Sequence, residues 1–288
     1  MKSYREKVEE LKRRMEGYSS EAAAVAFSGG VDSSLLLKMA CDGAKETGQK
    51  VYGIFLHTML HPAEDAGNAE RVAKEAGAEF VVLKVDELAA AGIEDNPVNR
   101  CYLCKKCLFT ELRKKAEELG VRRILEGTNE DDLHVYRPGI QAVRELGILS
   151  PLAEAGLTKK EVRSLAREYG ISVSGRASSP CLATRFPYGT RLCYEDMRRV
   201  EKGEEHLKKL GLFNVRLRVH KDVARIEVDS DALLTVVHFR KEITDCLKKL
   251  GYTYVTLDLE GFRSGSMDVT LIRYCSHPAG APVTSSGH

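Results

Sequence analysis

The chain has 288 residues, of which 43% are hydrophobic and 30% charged, with a formal charge of +2. That length exceeds one average core and suits two domains or one large one, and the composition is that of an ordinary globular protein. The near-neutral balance makes no electrostatic case for nucleic acid, no apolar run approaches the ~18 residues of a membrane span, and the charged start MKSYREKVEELKRRMEG is neither a secretory signal nor a transit peptide, so a cytoplasmic protein is expected.

In chain order, residues 3 to 17 read as an amphipathic charged helix. EAAAVAF is a short apolar strand that runs into a serine–glycine turn, and VDSSLLLKMACDGAKE has helical period. VYGIFLHT is a second strand, EDAGNAERVAKEAG a helix stopped by Gly77, and EFVVLKVD a third strand. Residues 101 to 119 form a helix that opens with a cysteine cluster, and RRILEGT is a fourth strand. Strands alternating with helices predict a parallel sheet, whose ligands bind at the carboxyl ends of the strands. SGGVDSS, HTMLH and GTNEDD all fall there.

TKKEVRSLAREY is a further helix, with Thr158 as N-cap and Glu161 closing a capping box. SVSGRASSPCLATRFPYGT lacks periodicity and reads as a long functional loop. Beyond it the pattern becomes helix, two strands (NVRLRVH and ARIEVD), two helical stretches and a last strand, TYVTLDL. The expected division is an α/β domain over 1–185, a small α+β domain over 186–275 and a disordered tail over 276–288.

Ser28-Gly29-Gly30-Val31-Asp32-Ser33-Ser34 joins a buried strand to a helix. Glycines admit close approach of backbone amides to a phosphate, and the helix start supplies unpaired N–H groups and the positive end of a dipole. The string lacks the GK[ST] ending of a Walker A loop and is not GxGxxG. Gly127-Thr128 follow the fourth strand, and the paired carboxylates of Glu130, Asp131 and Asp132 after them suit either magnesium binding or orientation of a substrate, or form a solvated acidic turn.

Of eight cysteines, Cys101, Cys104 and Cys107 lie within seven residues at a helix start, beside Arg100, Lys105 and Lys106. The dipole and the cations are expected to lower the thiol pKa values. A CxxC pair with a distant third cysteine suits an iron–sulfur cluster with one open iron, whereas zinc prefers four protein ligands. Cys181, flanked by Arg176 and Arg185, is a candidate nucleophile. Arg216 and Arg218 alternate along a strand, with His220 on the same face, and form a candidate phosphate fork. Tyr102 is a candidate for stacking on a cationic ring.

The string SGGVDSS resembles the pyrophosphate loop of the N-type ATP pyrophosphatases. With NPVNRCYLCK, GTNEDD, YRPGIQAVRELGILSPL, PCLATRFPYG, VRLRVH, ARIEV and GFRSGSMD in order, nearly the whole chain resembles the LarE family. The resemblance implies a parallel-sheet pyrophosphate-loop domain that uses ATP and Mg2+, with Ser28, Gly29, Gly30, Asp32, Ser33, Ser34, Gly127 and Thr128 at the nucleotide. It implies adenylylation of a carboxylate of pyridinium-3,5-biscarboxylic acid mononucleotide, then sulfur insertion toward the nickel-pincer nucleotide. Arg185, Arg216, Arg218 and Asp132 would hold the substrate. In one branch of the family the cysteine at the Cys181 position gives up its own sulfur. In another, three cysteines carry a 4Fe–4S cluster with a transferable sulfide. Retention of Cys101 and Cys104 beside Cys181 favours the cluster, and the extra Cys107 leaves the ligand set open. The resemblance also implies a homo-oligomer, a hexamer by family, and a small nucleotide as substrate, with no membrane and no nucleic acid as partner.

Overall fold

The computed structural model describes residues 2–61, 64–135, 137–175, 180–263 and 265–266. The tail expected over 276–288 lies outside the described residues, as do Arg176, Ser179 and Ser264. The chain divides into two compact units, 1–181 and 182–288, four residues before the boundary expected from sequence. No helix among the described residues is long and apolar enough to cross a membrane.

The first unit begins with α1 (Tyr4–Tyr18), whose start is closed by a capping box between Ser3 and Glu6. β1 (Ala23–Phe27), α2 (Val31–Thr47), β2 (Val51–His57), α3 (Glu64–Ala76) and β3 (Glu79–Lys84) follow. Next come α4 (Glu87–Ala91), α5 (Arg100–Glu118) and β4 (Arg123–Leu125). After a 3-10 turn over Glu130–His134, the unit ends with α6 (Gly139–Glu145), α7 (Pro151–Glu154) and α8 (Lys159–Glu168). The four strands form one parallel sheet in the order β3-β2-β1-β4.

Period-two alternation sends the central strands' side chains to two cores. Val25, Phe27, Val51 and Phe55 pack with α1, α2, α3, α7 and α8 on one face. Ala24, Tyr52, Ile54 and Ile124 pack with α5 and its neighbours on the other. Because β2 and β4 lie on opposite sides of β1, the crossover direction reverses between β1 and β4. The loops after those two strands therefore flank a switch-point crevice, the place where parallel α/β sheets receive ligands.

The fourth strand is shorter than RRILEGT suggests. Glu126 leaves the ladder, donating its N–H to Leu149 O, and the acidic run that follows is a 3-10 turn rather than an open loop, because Asn129 and Asp132 form a capping box around its start. α4 and α6, both short, were not legible from periodicity.

The second unit opens with a 3-10 turn (Leu182–Arg185) inside the stretch expected to be loop. It contains α9 (Tyr194–Lys209), β5 (Arg216–His220), β6 (Val223–Glu227), α10 (Leu233–His238), α11 (Arg240–Lys249) and β7 (Tyr254–Leu257). β5 and β6 are antiparallel, β6 and β7 parallel. Gly203 lets α9 lie against β5 and α11, since a Cβ there would fall 2.7 Å from Leu217 and 3.0 Å from Leu247.

Candidate active site

β1 ends at Phe27 and delivers Ser28 into the crevice. Gly29 takes a left-handed φ of 69°, and a Cβ on it would sit 3.1 Å from the Ala69 backbone, so conformation and space both require glycine. Gly30 caps α2 with no side-chain hydrogen bond, which leaves the helix start to a ligand. The loop's hydroxyls hold its shape. Ser33 Oγ donates to Gly30 O at 3.2 Å and accepts from Ser28 N at 3.3 Å, and Ser28 Oγ accepts from Gly30 N at 3.4 Å. Ser34 is 1% exposed, and its Oγ has no hydrogen-bond partner among the described residues.

Gly127 brings the loop after β4 against this cradle. A Cβ there would lie 2.9 Å from Asp32 Cβ and 3.1 Å from Ser33 N. Thr128 N donates to Glu126 Oε1 at 3.0 Å. Buried Glu126 also accepts from the Ser150 hydroxyl and, at 3.4 Å, from Lys105 Nζ. Asp32, in the first turn of α2, accepts from Asn129 Nδ2 at 3.3 Å and pairs with Lys159. A carboxylate beside a phosphate cradle is the donor type magnesium takes together with phosphate oxygens. Asp132, expected to hold the substrate, accepts from Asn129 N at 3.2 Å in the cap of the 3-10 turn and pairs with Arg137 at 2.9 Å.

α5 begins at Arg100, so the cysteine cluster does open a helix. The expected low thiol pKa is corrected at two positions. Cys104 packs at the edge of the second core, and burial pushes its thiol up, reinforced by Cys181, Glu87, Cys101 and Cys107. Burial and Glu111 raise Cys107 as well. The flanking cations are committed elsewhere: Arg100 to Asn96, Lys105 to Glu126 and Lys106 to Glu145. Cys101 is exposed, with Arg100 Nη2 4.0 Å from its sulfur. Cys181 is near enough to Cys104 for the two charges to interact. The three thiols are the right donors for a cluster, but among the described residues no three His, Cys, Asp or Glu side chains are gathered closely enough to hold a metal ion. Tyr102, expected to stack on a ring, donates its hydroxyl to Glu145 at 2.8 Å and lies under Lys106.

The second unit holds the arginines. Arg185 is 2% exposed and makes a two-point pair with Glu204, at 2.9 and 2.8 Å. Arg218 is 5% exposed and is saturated by Glu227, Thr184 O and Ser266 Oγ. Carboxylates from α9 and β6 reach both. Arg216 differs. Its guanidinium lies 5.2 Å over the Phe262 ring and donates to Val215 O, with no carboxylate in ion-pair range among the described residues. Burial, then neighbouring Arg185, lowers its pKa. Of the phosphate fork, Arg216 remains suited to an anion. Arg225 pairs with Glu227 at 3.0 Å.

Sequence inspection passed over Lys159, Glu126 and Glu87. A trace of Lys159 was present, because the Thr158 capping box places it at the first helical position of α8. Glu87 carried no signal. It is 0% exposed and accepts from Leu60 N at 2.7 Å in the loop after β2.

No family model matches the chain. It is 37% identical over 253 residues to the pyridinium-3,5-bisthiocarboxylic acid mononucleotide synthase of Lactiplantibacillus plantarum, covering 88% of this chain and 91% of that one. It is also 37% identical over 258 residues to an uncharacterized protein of Synechocystis, covering 88% and 94%. A more distant likeness, 29% over 202 residues, covers 57% of this chain and 54% of the tRNA-specific 2-thiouridylase MnmA of Rickettsia felis.

Proposed function

The chain belongs to the family of pyridinium-3,5-bisthiocarboxylic acid mononucleotide synthases, and from that premise we propose that it is an ATP-dependent sulfurtransferase acting on pyridinium-3,5-biscarboxylic acid mononucleotide. The observation that carries this is the uncapped start of α2, beside Asp32 and Gly127, in the same compact unit as Cys104 and Cys181. One half of the unit suits activation of a carboxylate and the other suits delivery of sulfur.

The substrate carboxylate attacks the α-phosphorus of ATP, and pyrophosphate leaves. The amides at the start of α2, with the Ser28 and Ser33 hydroxyls, hold phosphate oxygens, and Asp32 takes Mg2+. Gly127 and Thr128 border the nucleotide. A sulfur nucleophile then attacks the acyl carbon and AMP leaves. Arg216 holds the phosphate of the mononucleotide.

Cys101, Cys104 and Cys181 would hold a 4Fe–4S cluster, which supplies a transferable sulfide. A second reading is favoured by the ungathered arrangement of those thiols. In it the Cys181 thiolate forms a thioester with the activated carboxyl, loss of its α-proton breaks the Cβ–S bond, and dehydroalanine remains with the sulfur on the substrate.

The test is incubation of anaerobically purified protein with ATP, Mg2+ and the pyridinium mononucleotide. AMP, pyrophosphate and an oxygen-to-sulfur mass change in the mononucleotide are expected. Transfer of sulfur to tRNA and not to the mononucleotide would overturn the reading. Iron and sulfide content separates the two sulfur sources, as does the mass of the Cys181 peptide after turnover.

A further inference from the structure

A carboxylate just past β4 joins the two halves of the site. Glu126 is buried, and its two oxygens serve different elements. Oε1 accepts from Thr128 N at 3.0 Å and from the Ser150 hydroxyl, and so holds the loop whose Gly127 rests against Asp32 and Ser33 N. Oε2 accepts at 3.4 Å from Nζ of Lys105, the neighbour of Cys104 on α5. The stem of Lys105 is confined as well. A Cβ on Gly139 would fall 2.9 Å from its Cδ, and its ammonium lies 5.1 Å over the Phe109 ring. One cation thus follows a thiol in sequence and touches the residue that precedes Gly127 in space.

Activation and sulfur delivery act on the same carboxylate of the acceptor. That group is an anion approaching a polyphosphate of like sign, so a cation beside it lowers the repulsion. Three basic residues flank the cysteines. Lys106 donates to Tyr102 at 2.8 Å and to Glu145 at 2.9 Å, and Arg100 is buried against Asn96. The Lys105 bond is longer than these, and its side chain is 29% exposed while that of Glu126 is 5% exposed. An ammonium has three donors, so one held at that distance can take a second carboxylate without leaving the first.

We propose that Glu126 is a positioning residue for the acceptor, which fixes Lys105 between the phosphate cradle and Cys104 so that its ammonium binds the carboxylate to be activated. The proposal rests on the ATP-dependent reading above. When sulfur bonds to the acyl carbon, the carbonyl electron pair moves to its oxygen. It returns as the bond to AMP breaks, and AMP leaves with the electrons of that bond. Lys105 meets the transient charge on the acyl oxygen.

Glutamine at position 126 separates this role from a structural one. It keeps an oxygen for Thr128 N and Ser150 and turns its NH2 group toward Lys105, where two donors cannot pair. Calorimetric titration of the full chain measures the Kd of α,β-methylene-ATP and then, with that analogue bound, the Kd of the pyridinium dicarboxylate mononucleotide. Lys105→Met and Glu126→Gln should each weaken mononucleotide binding about tenfold or more and leave the analogue within about twofold of wild type. Lys105→Arg should retain most of the affinity. The double variant should bind the mononucleotide no worse than Lys105→Met, because Glu126 acts through Lys105. Thermal unfolding of each variant checks the fold, and if Lys105→Met does not fold, Glu126→Gln and Lys105→Arg decide. Unchanged mononucleotide binding in Glu126→Gln overturns the proposal, as does an equal loss for both ligands, and either result leaves the ATP-dependent reading standing. Wild-type protein that binds the analogue and not the mononucleotide overturns that reading and the proposal with it.

Discussion

Two thiols one helical turn apart on α5 sit in different surroundings. Cys101 is exposed, whereas Cys104 is pressed against the second core with its thiol pKa raised by burial. The thiolate is the reactive form, so raising a pKa lowers the reactive fraction at a given pH. In metal-free protein at pH 8, iodoacetamide should modify Cys101 well before Cys104. The Cys104 rate should go on climbing with pH beyond the ordinary thiol range. Peptide mass spectrometry over a time course measures both, and equal rates at the two positions would contradict the burial argument. The composition of the motif, with its helix start and basic neighbours, pointed the other way. Those neighbours were not available to the sulfur of Cys104, since Lys105 is drawn to Glu126 and Lys106 to Glu145.

α8 shows how one element can carry both a fold and a site. Its sequence announces its own start, and the structure forms that start as written: Thr158 N donates to Glu161 Oε2 at 2.8 Å, and Thr158 Oγ1 accepts from Glu161 N at 3.4 Å. Glu161 also pairs with Lys7 of α1 at 3.0 Å, so the cap fastens two helices. Thr158→Ala should cost about 1 kcal/mol, lowering the melting temperature by roughly 2–4 °C for a unit of this size. Denaturant unfolding checks the first figure and calorimetry the second. The α/β alternation was legible in the same way, through apolar runs of strand length and helical periods between them. α4 and the 3-10 turn over Glu130–His134 were not, because five residues are too few for a period to declare itself.

At the scale of the whole molecule, the buried charges of the second unit fall in pairs among the described residues. In the second unit Glu204 meets Arg185 and accepts the Leu217 N–H, while Glu227 meets Arg218 and Arg225. Removing one partner of a buried pair leaves an uncompensated charge and costs about 3–5 kcal/mol. Glu204→Gln should therefore destabilise the second unit by that order. Hydrogen exchange should show lost protection in α9, β5 and β6, with β1 and β2 of the first unit unchanged. Protection kept throughout would mean that the Arg185 pair contributes little.

The sequence by itself determined the parallel α/β domain, the phosphate loop and the capped start of α8. Each is written in neighbours a few residues apart, whose turns, periods and hydrogen bonds close locally. Only the tertiary structure decided which charged and nucleophilic side chains have a role left to play. Arg218 is taken up by a carboxylate on the adjacent strand and Arg216 is not, although they stand two residues apart in one motif. Lys159 reaches Asp32 over 127 residues, and Cys104 loses its thiolate character to a core built from other strands. Ion pairing and desolvation depend on what packing brings within a few ångströms, and the spacing of residues along a chain does not encode it.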